Sequence, residues 1–108
     1  MGYYTNYSLT YNFKYASNED EFDTKQFHEK LADITQYEFD YYDGTFNLNA
    51  KWYEWEADMI EISKTYPYMV FYLSGEGEEK DDIWEARFYN GKCDIVYAQV
   101  IMPDFPPL

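Results

Sequence analysis

The chain has very few of the residues on which small catalytic and metal-binding domains usually depend. Its 108 residues include one cysteine and one histidine. A single cysteine excludes an intramolecular disulfide and is typical of a reducing compartment. A lone histidine, with no second histidine or cysteine beside it, cannot build an ordinary zinc site. The composition therefore argues against a disulfide scaffold and against a zinc enzyme.

Basic residues and long apolar runs are scarce as well. Eight Lys and Arg stand against 21 Asp and Glu, which gives a formal net charge of −13. No apolar run approaches the roughly 20 residues that a membrane-spanning helix needs, and the N-terminus lacks the basic and apolar regions of a signal peptide. A strong negative field repels nucleic acid and membranes and attracts basic proteins. We therefore expect a cytoplasmic protein that binds neither nucleic acid nor membrane.

Aromatic residues, in contrast, are abundant: the chain has 14 Tyr, 8 Phe and 3 Trp. Disordered acidic chains are poor in aromatics, so we expect the carboxylates to lie on the surface of a folded body. At this length one core is sufficient. We predict a single domain over 1–102, followed by a proline-rich C-terminal tail at 103–108.

Hydrophobic periodicity predicts strands and two helices in a definite order. Alternating or continuous apolar patterns predict strands at 7–15, 37–42, 46–49, 68–73, 83–89 and 92–101. Helical spacing predicts one helix after Asp23, which resembles a capping box with Gln26, and a second from near Trp52 to Pro67. Segment 74–82 is expected to be a charged loop whose glycines allow positive φ.

Two turn signals predict hairpins. Asp43-Gly44 and Asn90-Gly91 both separate alternating runs, as two-residue turns do. The second turn places Tyr89 opposite Lys92. The element order predicts an α+β fold, namely a ferredoxin-like split β-α-β-β-α-β arrangement with an added C-terminal β-hairpin. Its antiparallel sheet would carry two helices on one face, with the other face at least partly open.

Neither of the two reactive side chains is expected to do chemistry. His28 lies off the apolar stripe of the first helix and is interpreted as a surface or rim histidine. Cys93 lies opposite Phe88 on the expected core face, where a thiol behaves as a small hydrophobic group. A catalytic thiol would also need a base and a positive field. We therefore predict that the protein is not an enzyme and has no cofactor.

Carboxylates are the candidate contact residues. Those proposed to meet a basic partner are Glu38, Asp40, Glu54, Asp58, Glu61, Glu76, Glu78, Glu79, Asp81 and Asp82. Alternate strand positions and helix positions three or four apart form rows of charge that can imitate a phosphate backbone. Two alternatives stay open: the charge serves solubility alone, or residues 76–82 bind a divalent cation, although they lack EF-hand spacing.

Several segments together resemble a known group of proteins. They are Met1-Gly2-Tyr3-Tyr4-Thr5, Lys51-Trp52-Tyr53, Gly75-Glu76-Gly77-Glu78-Glu79 and Asp82-Ile83-Trp84. With them the chain resembles a widespread family of small uncharacterised acidic proteins of phages and prophages, most densely over 51–92. The resemblance implies a context, not an activity: a candidate inhibitor of a nuclease, a DNA-repair enzyme or a CRISPR effector in the cytoplasm of a host cell.

The sequence therefore favours a non-enzymatic inhibitor that binds a basic nucleic-acid-handling protein through an acidic, DNA-mimicking surface. The alternative is a structural or regulatory interaction module, a homodimer formed through the open sheet face or an edge, with aromatic residues such as Tyr3, Tyr4 and Tyr42 exposed. A third hypothesis is a metal-binding or enzymatic domain that uses the acidic loop.

Overall fold

A computed structural model describes residues 3–15, 19–20, 22–79 and 82–98. Within these ranges six strands and two helices form: β1 (Thr5–Phe13), α1 (Thr24–Thr35), β2 (Asp40–Tyr42), β3 (Thr45–Ala50), α2 (Trp55–Thr65), β4 (Met69–Gly77), β5 (Ile83–Tyr89) and β6 (Lys92–Tyr97). The strands pair antiparallel in the order β2-β3-β1-β4-β5-β6. The predicted α+β class is confirmed. Residues 99–102 of the predicted domain and the predicted tail at 103–108 lie outside the described residues.

The core lies on one face of the sheet, because alternate residues of a strand point to the same side. Leu9 in β1 and Phe71 in β4 are fully buried there. Phe27 of α1 stacks on Phe71 with ring centroids 5.5 Å apart, and Trp55 of α2 stacks on Trp84 of β5 at 4.3 Å. Both helices therefore cover the same face, and among the described elements no helix covers the opposite, open face.

The start of α1 agrees with its predicted cap. Asp23 has extended backbone angles, and its Oδ1 accepts hydrogen bonds from the backbone N–H groups of Lys25, at 3.0 Å, and Gln26, at 3.2 Å. These bonds satisfy amide groups that have no partner inside the helix. The helix ends where Gln36 takes a left-handed conformation with φ of 65°.

Both hairpin turns use the left-handed conformation that the sequence predicts. Asp43 and Gly44 have φ of 50° and 82°, and Asn90 and Gly91 have φ of 44° and 84°. The second turn places Tyr89 opposite Lys92, which matches the predicted register. The first hairpin is shorter than predicted, because β2 begins at Asp40 and 37–39 lie outside any strand.

Other element bounds also differ from the prediction. β1 begins at Thr5 and ends at Phe13, and β6 ends at Tyr97. α2 begins at Trp55, three residues after Trp52, whose indole donates a hydrogen bond to a side chain of the first helical turn. β4 continues to Gly77. Residues 74–77, predicted as loop, therefore pair with β1, and 74–76 also pair with β5.

Candidate functional site

The acidic turn at the end of β4 concentrates carboxylates at one end of the sheet. We use this name for Glu76, Glu78, Glu79 and Asp82. Glu76 is exposed near the end of β4, and Glu78 and Glu79 are exposed just beyond it. The turn is closed by backbone bonds from Gly77 N–H to the Asp82 carbonyl, at 2.8 Å, and from Asp82 N–H to the Glu79 carbonyl, at 3.1 Å. Asp81 lies outside the described residues.

The two glycines of this segment do not act as the sequence analysis expected. Neither Gly75 nor Gly77 has the positive φ of a turn glycine. A Cβ at Gly75 would collide with the indole ring of Trp84, and a Cβ at Gly77 would collide with the Asp82 carboxylate and the Tyr3 hydroxyl. Glycine is therefore needed at 75, where a buried ring lies against the backbone of β4, whereas at 77 the nearest atoms are the ends of two side chains, which can shift.

An aromatic cleft lies at the same end of the molecule. It has a volume of about 180 Å³ and is lined by Tyr3, Thr5, Tyr7, Trp52, Tyr53, Trp55, Asp82 and Trp84. All three tryptophans of the chain belong to it. Tyr53 is 71% exposed, whereas Trp52 and Trp84 are buried. The cleft therefore has a fixed aromatic floor and an accessible aromatic wall.

Hydrogen bonds and ring contacts hold the floor in place. The Tyr7 hydroxyl donates to the carbonyl of Trp52 at 3.1 Å, and the Trp52 indole N–H donates to Asp58 Oδ2 at 2.7 Å. The Tyr7 ring meets the rings of Trp52 and Trp84 edge to face, at 5.2 and 6.0 Å. Buried indole and phenol groups usually find such partners. Asp58, predicted to face a partner, is therefore half-buried and bonded within the fold.

The remaining predicted contact residues are dispersed. Glu38 and Asp40 are exposed, but Glu38 precedes β2, so the two do not form a row along one strand. Glu54 is the N-cap of α2, and Glu61 is exposed on that helix. The structure therefore places Glu38 and Asp40 beside the edge strand β2, and Glu54 and Glu61 on α2.

Few of the described carboxylates are neutralised by basic side chains. Within the described ranges one salt bridge forms, between Arg87 and Asp94 at 2.8 Å, and both side chains are largely exposed. The Lys51 ammonium lies 4.8 Å from the ring centre of Tyr4, and the Lys14 ammonium bonds to the Tyr89 hydroxyl at 2.8 Å. The negative field of the chain is thus left largely uncompensated at the surface.

His28 and Cys93 have structural environments. His28 Nε2 lies 2.8 Å from the carbonyl oxygen of Phe39, and the imidazole meets the Phe46 ring edge to face at 5.2 Å. The histidine is half-buried, which confirms the rim position. Burial, and then the charges of Glu56 and Asp94, raise the pKa of the Cys93 thiol. The reactive thiolate is therefore disfavoured.

The open face of the sheet carries a second concave surface. This open-face groove, of about 530 Å³, is formed across β4, β5 and β6. Its side chains include Tyr72, Ser74, Ile83, Arg87, Asp94 and Val96. Ile83 is 43% exposed and Val96 is 68% exposed. The groove combines apolar surface with one exposed ion pair.

The described residues offer neither a metal cluster nor a membrane-spanning helix. Among residues 3–15, 19–20, 22–79 and 82–98, no three His, Cys, Asp or Glu side chains are grouped so that they could hold a metal ion. In the same ranges, neither helix has the length and apolar composition that crossing a bilayer requires.

Comparisons with known proteins were made by family model, by curated sequence and by solved structure. No family model matches the chain, and no curated protein or solved structure gives a significant match. The site must therefore be interpreted from its own residues.

Sequence reasoning missed the aromatic cleft. It used Trp52, Trp55 and Trp84 as markers of a helix and a strand, and did not bring them together. The signals were the run Lys51 to Glu56, which contains three aromatic and two acidic residues, and the glycines at 75 and 77. Paired with an aromatic residue on a neighbouring strand, a strand glycine indicates close approach to the backbone.

Proposed function

We propose that this protein is a non-enzymatic inhibitor that binds a basic, nucleic-acid-handling protein through its acidic surface. The observation that carries the proposal is the excess of exposed carboxylates on a folded domain, with one salt bridge among the described residues. Self-repulsion of this kind lowers stability. A complementary positive surface relieves it, accelerates association and makes binding sensitive to salt.

The acidic turn is the proposed centre of the contact. Glu76, Glu78 and Glu79 are exposed and close in sequence, and backbone bonds join Gly77 and Glu79 to Asp82. A fixed cluster of carboxylates can occupy a groove that otherwise holds phosphates, because each can accept bonds from arginine and lysine. This is the sense in which we propose that the surface mimics DNA.

The identity of the target rests on the resemblance to acidic phage and prophage proteins. That context favours a host nuclease, a DNA-repair enzyme or a CRISPR effector, each of which presents a basic groove.

We also propose that β1 to β4 with α1 and α2 form a ferredoxin-like split βαβ unit and that β5 and β6 are an addition to it. The strand order β2-β3-β1-β4 supports this relationship.

Affinity capture tests the proposal first. Tagged protein is incubated with nuclease-treated host lysate and eluted with a salt gradient, and eluted proteins are identified by mass spectrometry. The expected result is one basic nucleic-acid-binding protein, released as salt rises and inhibited by the purified chain. Failure to recover such a protein would contradict the proposal.

Charge reversal then tests the contact. Changing Glu76, Glu78 and Glu79 to Lys should weaken binding of the recovered partner by about tenfold or more, since buried or closely paired charges dominate such interfaces. A matched triple reversal changes Glu19, Glu29 and Asp33, which are also exposed, and alters net charge equally. Equal weakening by both would show a general field effect without a defined contact, and no weakening by the first would exclude the acidic turn.

A separate observation favours a second candidate function, that of a homodimeric interaction module. β6 is an edge strand, and its Val96 and Tyr97 are 68% and 63% exposed. Unpaired strand edges with apolar side chains readily add another strand. Light scattering should then show a dimer that Val96→Lys dissociates. A monomer at all concentrations would remove this function.

Of the aromatic residues expected to be exposed, Tyr4 and Tyr42 are exposed, whereas Tyr3 is half-buried.

A further inference from the structure

We propose that the aromatic cleft binds a cationic head group, the ammonium of a lysine or the guanidinium of an arginine on the basic partner. This inference rests on the proposed function and states which side chain of the partner anchors the complex. It concerns a site separate from the exposed glutamates of the acidic turn, although the two surfaces share Asp82.

The cleft offers aromatic surface to a cation. Trp55 is half-buried in the wall of the cleft, stacked on Trp84 with ring planes 23° apart. Tyr53 stands beside it, 71% exposed. The faces of tryptophan and tyrosine rings carry negative potential and attract cations, most strongly where water is displaced. A tyrosine so exposed next to two stacked indoles has no evident role in the core.

The cleft also contains a carboxylate. Asp82 is half-buried, and its oxygen lies with the Tyr3 hydroxyl against the backbone of Gly77. A carboxylate beside aromatic faces attracts a cation and repels an anion. Glu56 and Asp58 occupy the first turn of α2, where they offset the positive end of that helix. The local charge therefore favours a positive ligand.

The cleft is also large enough for such a head group. Its volume of about 180 Å³ corresponds to about six water molecules at ~30 Å³ each. That space accepts the head group of a long basic side chain. Lys51, the basic residue next to Trp52 in the chain, is engaged over Tyr4, which does not line the cleft.

Small cations test the inference on the intact protein. Choline is titrated against its neutral isostere 3,3-dimethylbutan-1-ol, with n-butylguanidinium as a third probe. The three indole N–H signals in proton–nitrogen correlation spectra report on binding, because every tryptophan lines the cleft. We expect saturable shifts with both cations and binding at least about tenfold weaker for the neutral isostere. Equal binding of choline and the isostere, or no saturable shift, would overturn the proposal.

Point variants locate the effect. Asp82→Asn removes the charge and Tyr53→Ala removes the accessible ring; each should weaken cation binding several-fold, while Tyr53→Phe retains it. Matched controls are Asp33→Asn on α1 and Tyr42→Ala, which is 79% exposed on β2, and both should bind as the unmodified chain does. Circular dichroism confirms that each variant is folded. If the cleft variants bind choline with the same affinity as the controls, the cation does not bind in the cleft and the proposal is refuted.

The two proposals fail in different experiments. If the small cations do not bind but reversal of Glu76, Glu78 and Glu79 still weakens binding of the partner, the proposal for the cleft is refuted and the proposal for the acidic surface stands. If the cations bind and reversal has no effect, the cleft stands and the three glutamates are excluded as the contact.

Discussion

At the scale of single residues, Gly75 determines how closely Trp84 approaches β4. The indole ring lies where a side chain at position 75 would be. Trp84 then stacks on Trp55 and contacts Tyr7 edge to face. The position of Trp84 in the aromatic floor therefore depends on the absence of a side chain at Gly75.

Gly75→Ala should destabilise the protein, because the added methyl forces the indole away from the strand. Overpacking of this kind costs about 1–3 kcal/mol. Urea unfolding followed by circular dichroism measures the cost, and Ser74→Ala, at the neighbouring exposed position, is the control with a change within about 0.5 kcal/mol. A Gly75→Ala variant as stable as the control would show that Trp84 has room to move.

Buried tyrosines should make the protein unstable in alkali. Burial raises the pKa of Tyr7, Tyr11 and Tyr66 above the ordinary value of 10.0. The fold therefore favours the neutral phenols, so their contribution to stability is fully present below pH 10.0 and is lost as pH rises through the higher folded values. Urea unfolding across this range measures the slope of stability against pH, which Tyr66→Phe should reduce. A slope in this variant equal to that of the unmodified chain would contradict this account.

Single residues differ in how far the sequence reveals their role. Asp23 was predicted as a cap because capping is local: the acceptor and its donors lie within three residues. Asp58 was predicted as a contact residue and instead accepts a bond from Trp52. That bond depends on how the chain enters α2, and residue spacing alone does not determine the entry.

At the scale of elements, Ser63 joins α2 to the β5–β6 hairpin. It is fully buried, its hydroxyl donates to the Ile60 carbonyl at 2.7 Å, and its oxygen accepts the N–H of Gly91 at 2.8 Å. The turn of the hairpin is thereby fixed to the helix layer, although α2 and the turn are distant in sequence.

Ser63→Ala should destabilise the protein by about 1–3 kcal/mol, because it leaves the N–H of Gly91 without its partner. The matched control is Thr65→Ala, whose exposed hydroxyl bonds to the Glu61 carbonyl within the same helix. Chemical denaturation gives both values, and hydrogen exchange at Gly91 should accelerate in the first variant alone. An unchanged exchange rate there would refute the linkage.

The elements were predicted more reliably than their ends. Hairpin turns were found because Asp-Gly and Asn-Gly carry a strong local signal. The sequence analysis ended the fourth strand at Leu73, because Ser74 to Gly77 contains polar residues and glycine, which have a low propensity for strands. Pairing with β1 and with β5 keeps them extended, and pairing between distant segments is not visible in local composition.

At the scale of the whole molecule, the net charge of −13 should make stability rise with salt. Repulsion between exposed carboxylates opposes the compact state, and added salt screens it because the Debye length falls from about 30 Å at 0.01 M to about 10 Å at 0.1 M. Thermal unfolding in low and moderate sodium chloride measures the effect, with a higher Tm expected in the second. A lower Tm would mean that attractive pairs outweigh repulsion.

The candidate site was the part of the molecule least accessible from sequence. Its acidic half follows from composition, because an excess of carboxylates has to lie on the surface. Its aromatic half does not, since Tyr3, Trp55 and Trp84 come from three distant segments. They meet because β1, β4 and β5 are neighbours in the sheet and α2 covers them.

The central position of β1 has a consequence for how the chain folds. Thr5 pairs with Ala50 on one side and with Gly77 on the other, so β1 is synthesised before either of its neighbours, β3 and β4. Folding rate falls as contacting segments become more distant along the chain. Until β4 leaves the ribosome, an aromatic-rich strand has an unpaired edge open to other chains. Net negative charge on every copy then keeps such nascent chains apart.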